Sequence, residues 1–355
     1  MAKDMPQGVG AGAAGTATAR PRASGWARIL GWAGQRARLI APLVTLLGLV
    51  VFFSLTTDSF FTTRNLWNGI LSQYAVVAVA AAGTTFVLLC AEIDLSIAAV
   101  SLLIGVLSAY FWITPVFGID FGTWGVLIGL IAAALIGYAN GFFAAYIRIP
   151  SFMMTLAMST IALGLAVWVT QGKPIFKVPG LLRTLGGTGS KIGPVPVPVI
   201  VAAVVLLVAD IVLSYTKFGR YVYMTGGNRE AAEMSGVNTR RVVALCLMIS
   251  GLTAGMAGML NVGKLNGANP QPSNELLIFT IASVVLGGTS LFGGEGGIKN
   301  TLIGVLIFGC LRNGLNQVEG ISIYIKQAVE GFFLVGALLL NVVALRLERI
   351  RTQAE

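Results

Sequence analysis

Residues 195–214 read VPVPVIVAAVVLLVADIVLS. Wound as an α-helix at about 1.5 Å per residue, such a stretch reaches about 30 Å, the thickness of a bilayer's hydrocarbon core. Comparable apolar stretches lie at about 38–56, 66–90, 94–113, 123–147, 152–170, 241–262, 275–290, 300–317 and 322–345. The 355-residue chain is 56% hydrophobic and 11% charged, with a mean hydropathy of +0.84. A soluble domain carries about 25% charged residues, so that class is excluded. The apolar runs lack the two-residue alternation of a membrane barrel. The sequence therefore predicts an all-α polytopic membrane protein of about ten transmembrane helices. The loop at 171–194, rich in Pro and Gly, reads as irregular and divides the chain into two five-helix halves. The run at 275–290 is short enough to be tilted or re-entrant.

The net charge of +10 would suggest nucleic acid in a soluble protein. In a membrane protein it reports orientation instead, because cytoplasmic loops collect Lys and Arg. With ten spans and the N-terminus inside, sixteen of the 24 basic residues fall on the inner side. Both termini are thus expected in the cytoplasm. Residues 1–37 read as a disordered basic tail, 38–345 as the transmembrane domain and 346–355 as a second cytoplasmic tail; no cleaved signal peptide is expected. There is no His, and Cys90, Cys246 and Cys310 show no paired spacing, so disulfides, metal sites and His-based catalysis are not expected. No cofactor is expected either. Gly137-x-x-x-Gly141 and Gly251-x-x-x-Gly255 predict close helix crossings.

Immediately after the opening stretch comes a polar island, TGGNREAAEMSGVNTRR, at 225–241. Asn228 suits an N-cap. Glu230 places negative charge in the first turn, where the helix dipole favours it. Gly236 suits a left-handed stop. Asn238 or Thr239 then caps the next span. A helix of about two turns is marginal alone, because nucleation is costly. It must be held by the membrane domain or by a cytoplasmic partner.

Four blocks in order carry a resemblance: EIDLSIAAV (92–100), GGNREAAEMSGVNTRRV (226–242), GGTSLFGGEGGIKNTLIG (287–304) and LRNGLNQV (311–318). Together they resemble the ribose/xylose-type sugar permeases, the membrane subunits of bacterial ATP-binding-cassette importers of the inner membrane. Glu92, Asp94, Ser96, Gly287, Gly288, Gly293 and Gly294 carry the structural motifs. The resemblance implies that 228–236 is a coupling helix, with Asn228, Arg229, Glu230, Ala231, Ala232, Glu233 and Gly236 facing a cytoplasmic ATP-binding subunit. It further implies an extracytoplasmic sugar-binding protein and a second permease copy. A branched-chain amino-acid-type permease has a similar span organisation and is the alternative.

The chain's own residues argue against an ATPase site. The glycine-rich 287–297 lacks the Gly-Lys-Ser/Thr that grips phosphates, and Lys299 is followed by Asn300. An ion-driven carrier would need acids within the membrane, and Glu92 and Asp94 are the best pair. Asp94 also reads as a cap on the third span, and Glu92 as an inner-interface residue. Lys326 and Glu330, four apart, are expected to pair. Asn140, Arg312, Asn313 and Asn316 are candidates for the solute pathway, and Asn140 equally for an interhelical hydrogen bond.

Overall fold

The computed structural model describes residues 25–113, 124–176, 178, 180–271, 273–336 and 339. Residues 1–24 and those beyond 339 lie outside the described residues. The chain is helical almost throughout. In order, the helices are α1 Gly25–Thr56, α2 Ser72–Leu89, α3 Ile97–Ile113, α4 Trp124–Ala145, α5 Ser151–Thr170, α6 Gly180–Gly186, α7 Val197–Tyr215, α8 Lys217–Gly227, α9 Arg229–Met234, α10 Thr239–Leu265, α11 Glu275–Leu286 and α12 Ile298–Gln317. A last helix, α13, covers 323–336. Residues Asn65–Leu71 are wound as a π-helix that runs into α2. Each of the ten expected segments carries a helix. Five are long and apolar enough to cross a membrane: Asn65–Leu89, α4, α5, α7 and α10.

Two of those five form the core. Asn65–Leu89 and α10 are mostly enclosed, whereas α4, α5 and α7 turn leucines, isoleucines and aromatic rings outward. Around an enclosed pair, an outward apolar surface is what hydrocarbon requires. Enclosure depends on small residues. A Cβ on Gly137 of α4 would lie 3.0 Å from the Cα atoms of Met248 and Gly251 of α10, and one on Gly141 would strike Ala244. Gly137 and Gly251 thus meet backbone against backbone at the crossing, while Gly141 faces Ala244 and Gly255 faces Ala133.

Three local features depart from the sequence reading. Helix α1 begins at Gly25, within the stretch read as tail. The loop at 171–194 is only partly irregular, because it holds α6 and a two-stranded hairpin, β1 Lys191–Ile192 with β2 Val195–Pro196. Leu182 of α6 is fully buried, which gives that short helix an anchor. The polar island is preceded by α8, an 11-residue helix whose N-cap Thr216 accepts from Gly219 N at 3.2 Å.

Candidate functional site

The polar island folds as its capping residues dictate. Asn228 is extended, and its Oδ1 accepts from Ala231 N at 3.0 Å. Glu230 is exposed in the first turn of α9. Gly236 sits at φ +81° and ends the helix, with Gly236 N donating to the Glu233 carbonyl and Val237 N to the Ala232 carbonyl, both at 3.0 Å. Asn238 Oδ1 then accepts from Arg241 N and caps α10. Six helical residues cannot stabilise themselves in water. The membrane domain supplies the missing contacts: Ala232 and Val237 are buried, Thr239 Oγ1 donates to Glu233, and Arg229 Nη2 meets Glu92 Oε1 at 2.7 Å. The outward face remains open, with Met234 90% exposed beside Glu230 and Ala231.

Two further blocks converge on this place. The glycine turn 287–297 docks on the end of α2, with Gly294 N donating to the Leu89 carbonyl at 2.9 Å. Gly293 and Gly294 take φ +85° and +74°, a region that L side chains resist, and Gly287 and Gly288 begin the turn. Gly226 of α8 lies in the same contact, where a Cβ would strike the Leu89 carbonyl. Tyr223 of α8 donates to the Gly296 carbonyl at 2.8 Å. Its phenol pKa is raised, mostly by burial and also by the charge of Asp210. Two buried free thiols, Cys90 and Cys246, stand 3.3 Å apart beneath.

The third block, 92–96, is not helical. Ala91 turns the chain at φ +59°, and α3 starts only at Ile97. Between them the backbone descends into the bundle as far as Ser250, eleven residues along α10. Irregular backbone at that depth must find its hydrogen bonds within protein. Side chains provide them: Ile93 N donates to Ser151 Oγ at 3.1 Å and Leu95 N to Thr155 Oγ1 at 3.0 Å. Asp94 is buried, and its two oxygens accept from Ser96 N at 2.8 Å, Ser96 Oγ at 2.6 Å and Ser250 Oγ at 2.7 Å. Asn140 of α4 donates to Ser96 Oγ at 3.1 Å. A buried carboxylate costs several kcal/mol unless it is so satisfied. Residues 92–96 are therefore tied to α9 at one end and to α4, α5 and α10 along their length.

At the other end of the core helices lies a cavity of about 790 Å³. It is lined by the beginning of α2, the end of α10, α11, α12 and the first turns of α3, including Ala98 and Ser101. Amides dominate its polar groups: Gln73, Asn261, Asn269, Gln271, Asn313 and Asn316. The Tyr74 and Phe279 rings add flat apolar faces. Its guanidinium is paired within the wall. Arg312 reaches Glu275 Oε2 at 3.3 Å and Glu330 Oε1 at 3.7 Å and lies over the Phe279 ring at 4.8 Å, while Lys264 Nζ donates to the Gln73 carbonyl at 3.2 Å. Asn65, Asn313 and Gln317 form an amide cluster behind it, at 2.7 to 3.0 Å.

Of the four pathway candidates, Arg312, Asn313 and Asn316 line this cavity, and Asn140 does not; it belongs to the buried cluster around Asp94. The expected Lys326–Glu330 pair is corrected. Glu330 turns to Arg312 and Lys326 Nζ donates to the Asn316 carbonyl, because the guanidinium sits between α11 and α13 where Glu330 can reach it. Sequence reading missed Gln73, Asn261, Asn269 and Gln271. Two of these, Gln73 and Asn261, are amides within otherwise apolar spans, and that was their available signal.

An enclosed helix core, a cavity of amides at one end and a glycine-braced polar joint at the other define a membrane transport subunit. Residues 66–340 match the family model described as branched-chain amino acid transport system / permease component, and the chain belongs to that family. It is similar to the ribose import permease protein RbsC of Escherichia coli K12, 37% identical over 87% of this chain and 94% of the relative. It is 36% identical to the ribose import permease protein RbsC of Bacillus subtilis, over 85% of this chain and 92% of the relative. The xylose transport system permease protein XylH of E. coli K12 is 26% identical over 84% and 90%. As a permease component the chain is a transport subunit without an ATPase site of its own.

Proposed function

We propose that this chain is the membrane subunit of a bacterial inner-membrane importer for a monosaccharide or small polyol. Ten helices cross the membrane, both termini face the cytoplasm, and α9 lies on the cytoplasmic side. The bias of Lys and Arg supports that orientation. A separate ATP-binding subunit engages the open face of α9, an extracytoplasmic sugar-binding protein delivers solute to the cavity, and a second copy or close homologue completes the pathway. The ribose and xylose permeases among its relatives support the solute class.

The cavity chemistry favours a neutral hydroxylated solute over a branched-chain amino acid. Amides donate and accept equally, which suits hydroxyls. A zwitterionic amino acid would need a free carboxylate for its ammonium, and Glu275 and Glu330 are both engaged with Arg312. An ion-driven carrier has less support. Asp94 is sealed by two serines and Glu92 is bonded to Arg229, so both acids hold structure together. Uptake that persists when the proton gradient is dissipated and stops when ATP is withdrawn is the expected result.

One observation carries the coupling role: α9 is pinned inward by Ala232, presents Met234 outward, and bonds through Arg229 to Glu92, six residues from Ala98 on the cavity wall. A push on α9 reaches the solute through the non-helical segment 92–96 and the first turn of α3. The test is Glu230→Arg in the assembled transporter. Copurification of the ATP-binding subunit should fall while membrane insertion stays normal. Unchanged copurification together with parental uptake would discard the coupling role.

A further inference from the structure

One charge in the amide cavity has no counter-charge. Lys264, in the last turn of α10, lines the cavity half-buried, and its Nζ donates to the Gln73 carbonyl at 3.2 Å. Among the described residues it has no carboxylate partner: Glu275 and Glu330 go to Arg312, Glu92 goes to Arg229 and Asp210 to Lys299. The other two charged groups of the lining, Arg312 and Glu275, hold each other. An ammonium kept without a carboxylate at the edge of a membrane span is costly and marks function there. It is also three N–H donors with no acceptor, so two donors stay unspent beside the Gln73 carbonyl.

Charge and hydrogen bonding define the guest that suits it. Arg312, Glu275 and Glu330 together carry one net negative charge and Lys264 one positive charge, so the four groups sum to zero. A neutral guest keeps that balance, whereas an anion would leave one negative charge in excess. A guest with an ammonium would meet Lys264 with no free carboxylate to receive it. Two spare N–H donors on one nitrogen call for two oxygens close together. Hydroxyls on adjacent carbons of a sugar or polyol supply them, and the Gln73 and Asn261 amides of the lining can accept the hydrogens of those hydroxyls. Bonds from an ionised donor are about twice as strong as those between neutral groups, so the ammonium outweighs any single amide in setting how the solute sits.

We infer that Lys264 is the specificity-determining residue of the cavity: it holds two neighbouring hydroxyl oxygens of a neutral solute and turns away solutes that carry an ammonium. This rests on the reading of the cavity as the solute site.

A thiol placed beside Lys264 reads both properties. The three native cysteines are buried, so an introduced one is read alone. Asn261 lines the cavity one turn back on the same face of α10. In the assembled transporter, the thiol of Asn261→Cys is modified by a methanethiosulfonate bearing a sulfonate or a trimethylammonium, each rate divided by that reagent's rate with a small thiol in solution. The sulfonate should be favoured about fivefold. Lys264→Gln, which keeps a donor for the Gln73 carbonyl, should bring the ratio to about one, and Lys264→Arg should preserve it. Protection is then read with an uncharged methanethiosulfonate. At least one of D-ribose, D-xylose and ribitol should slow the reaction and D-glucosamine should not, and Lys264→Gln should raise the protecting concentration about tenfold. A charge ratio near one in the Lys264 protein, or one untouched by Lys264→Gln, would overturn the inference. So would protection by D-glucosamine, or by D-gluconate at lower concentration than the neutral solutes, which would make the guest an acid. Neutral protection that Lys264→Gln leaves unchanged would strike the role of Lys264 and leave the cavity as the solute site. The expected charge ratio with no neutral protection would instead remove the cavity from the solute's route, and the inference with it.

Discussion

The two ends of α2 treat polar groups in opposite ways. At the Leu89 end, backbone meets backbone: Gly226, Gly293 and Gly294 let three segments close on one carbonyl, and Ile93, Leu95 and Ser96 of the descending 92–96 segment each donate an N–H to a side-chain oxygen. At the Gln73 end, side chains surround open space, and amides line it from three helices and the loop before α11. Glycine contacts leave no slack, because no rotamer can absorb a displacement. Amide side chains turn readily to suit a guest. One end is thus built to move as a piece and the other to accommodate, and substitutions should separate them.

The sharpest test of the first half is Gly226→Val. The added carbons must displace the Leu89 carbonyl or the turn at Gly294, so uptake should be lost and the yield of folded protein should fall several-fold, measured by transport in proteoliposomes and by gel filtration. Next is the Arg229–Glu92 bond. Arg229 is half-exposed, so the pair itself is worth only about 0.5–1 kcal/mol, but reversal to two like charges reaches further. Glu92→Arg or Arg229→Glu alone should lower solute-stimulated ATP hydrolysis about tenfold, a loss near 1.4 kcal/mol in coupling. The Glu92→Arg/Arg229→Glu double variant should recover most of it. Absence of recovery would remove the joint from the transmission route.

The accommodating end should respond more gently. Gln73→Ala or Asn316→Ala should raise the solute concentration for half-maximal uptake about three- to fivefold, the worth of one hydrogen bond, with ATP hydrolysis in the absence of solute unchanged. A collapse of basal hydrolysis instead would merge the two ends into one. The smallest effect belongs to Asn140→Ala. Its hydrogen bond to Ser96 contributes about 1 kcal/mol, so thermal stability should drop slightly while solute affinity holds. A change in affinity would return Asn140 to the solute pathway.

The sequence made these two ends unequally legible. The joint is written in three short blocks, each dense in glycine, capping residues or acids, and such residues declare their local geometry. Asn228, Gly236 and Asn238 occupy the capping positions that their chemistry suggests. What the blocks do not say is that they meet, since 92–96 and 287–297 lie nearly 200 residues apart. The cavity is written in single residues scattered over five elements. Arg312, Asn313 and Asn316 stood out because they cluster; Gln73 and Asn261 did not, because one amide in an apolar span reads equally well as a helix–helix contact. The Lys326–Glu330 spacing misled for a related reason. Helical periodicity shows which groups share a face, but Arg312 arrives from another helix.

The crossing of α4 and α10 has a consequence for the surroundings. Gly137 and Gly251 leave no sliding layer between the two helices, so whatever shifts α10 carries α4 along. The outer side of α4, where Leu127, Ile131 and Leu135 project, must then plough through neighbouring acyl chains on every cycle. Turnover should accordingly track membrane fluidity and slow abruptly where the host bilayer freezes into its gel phase.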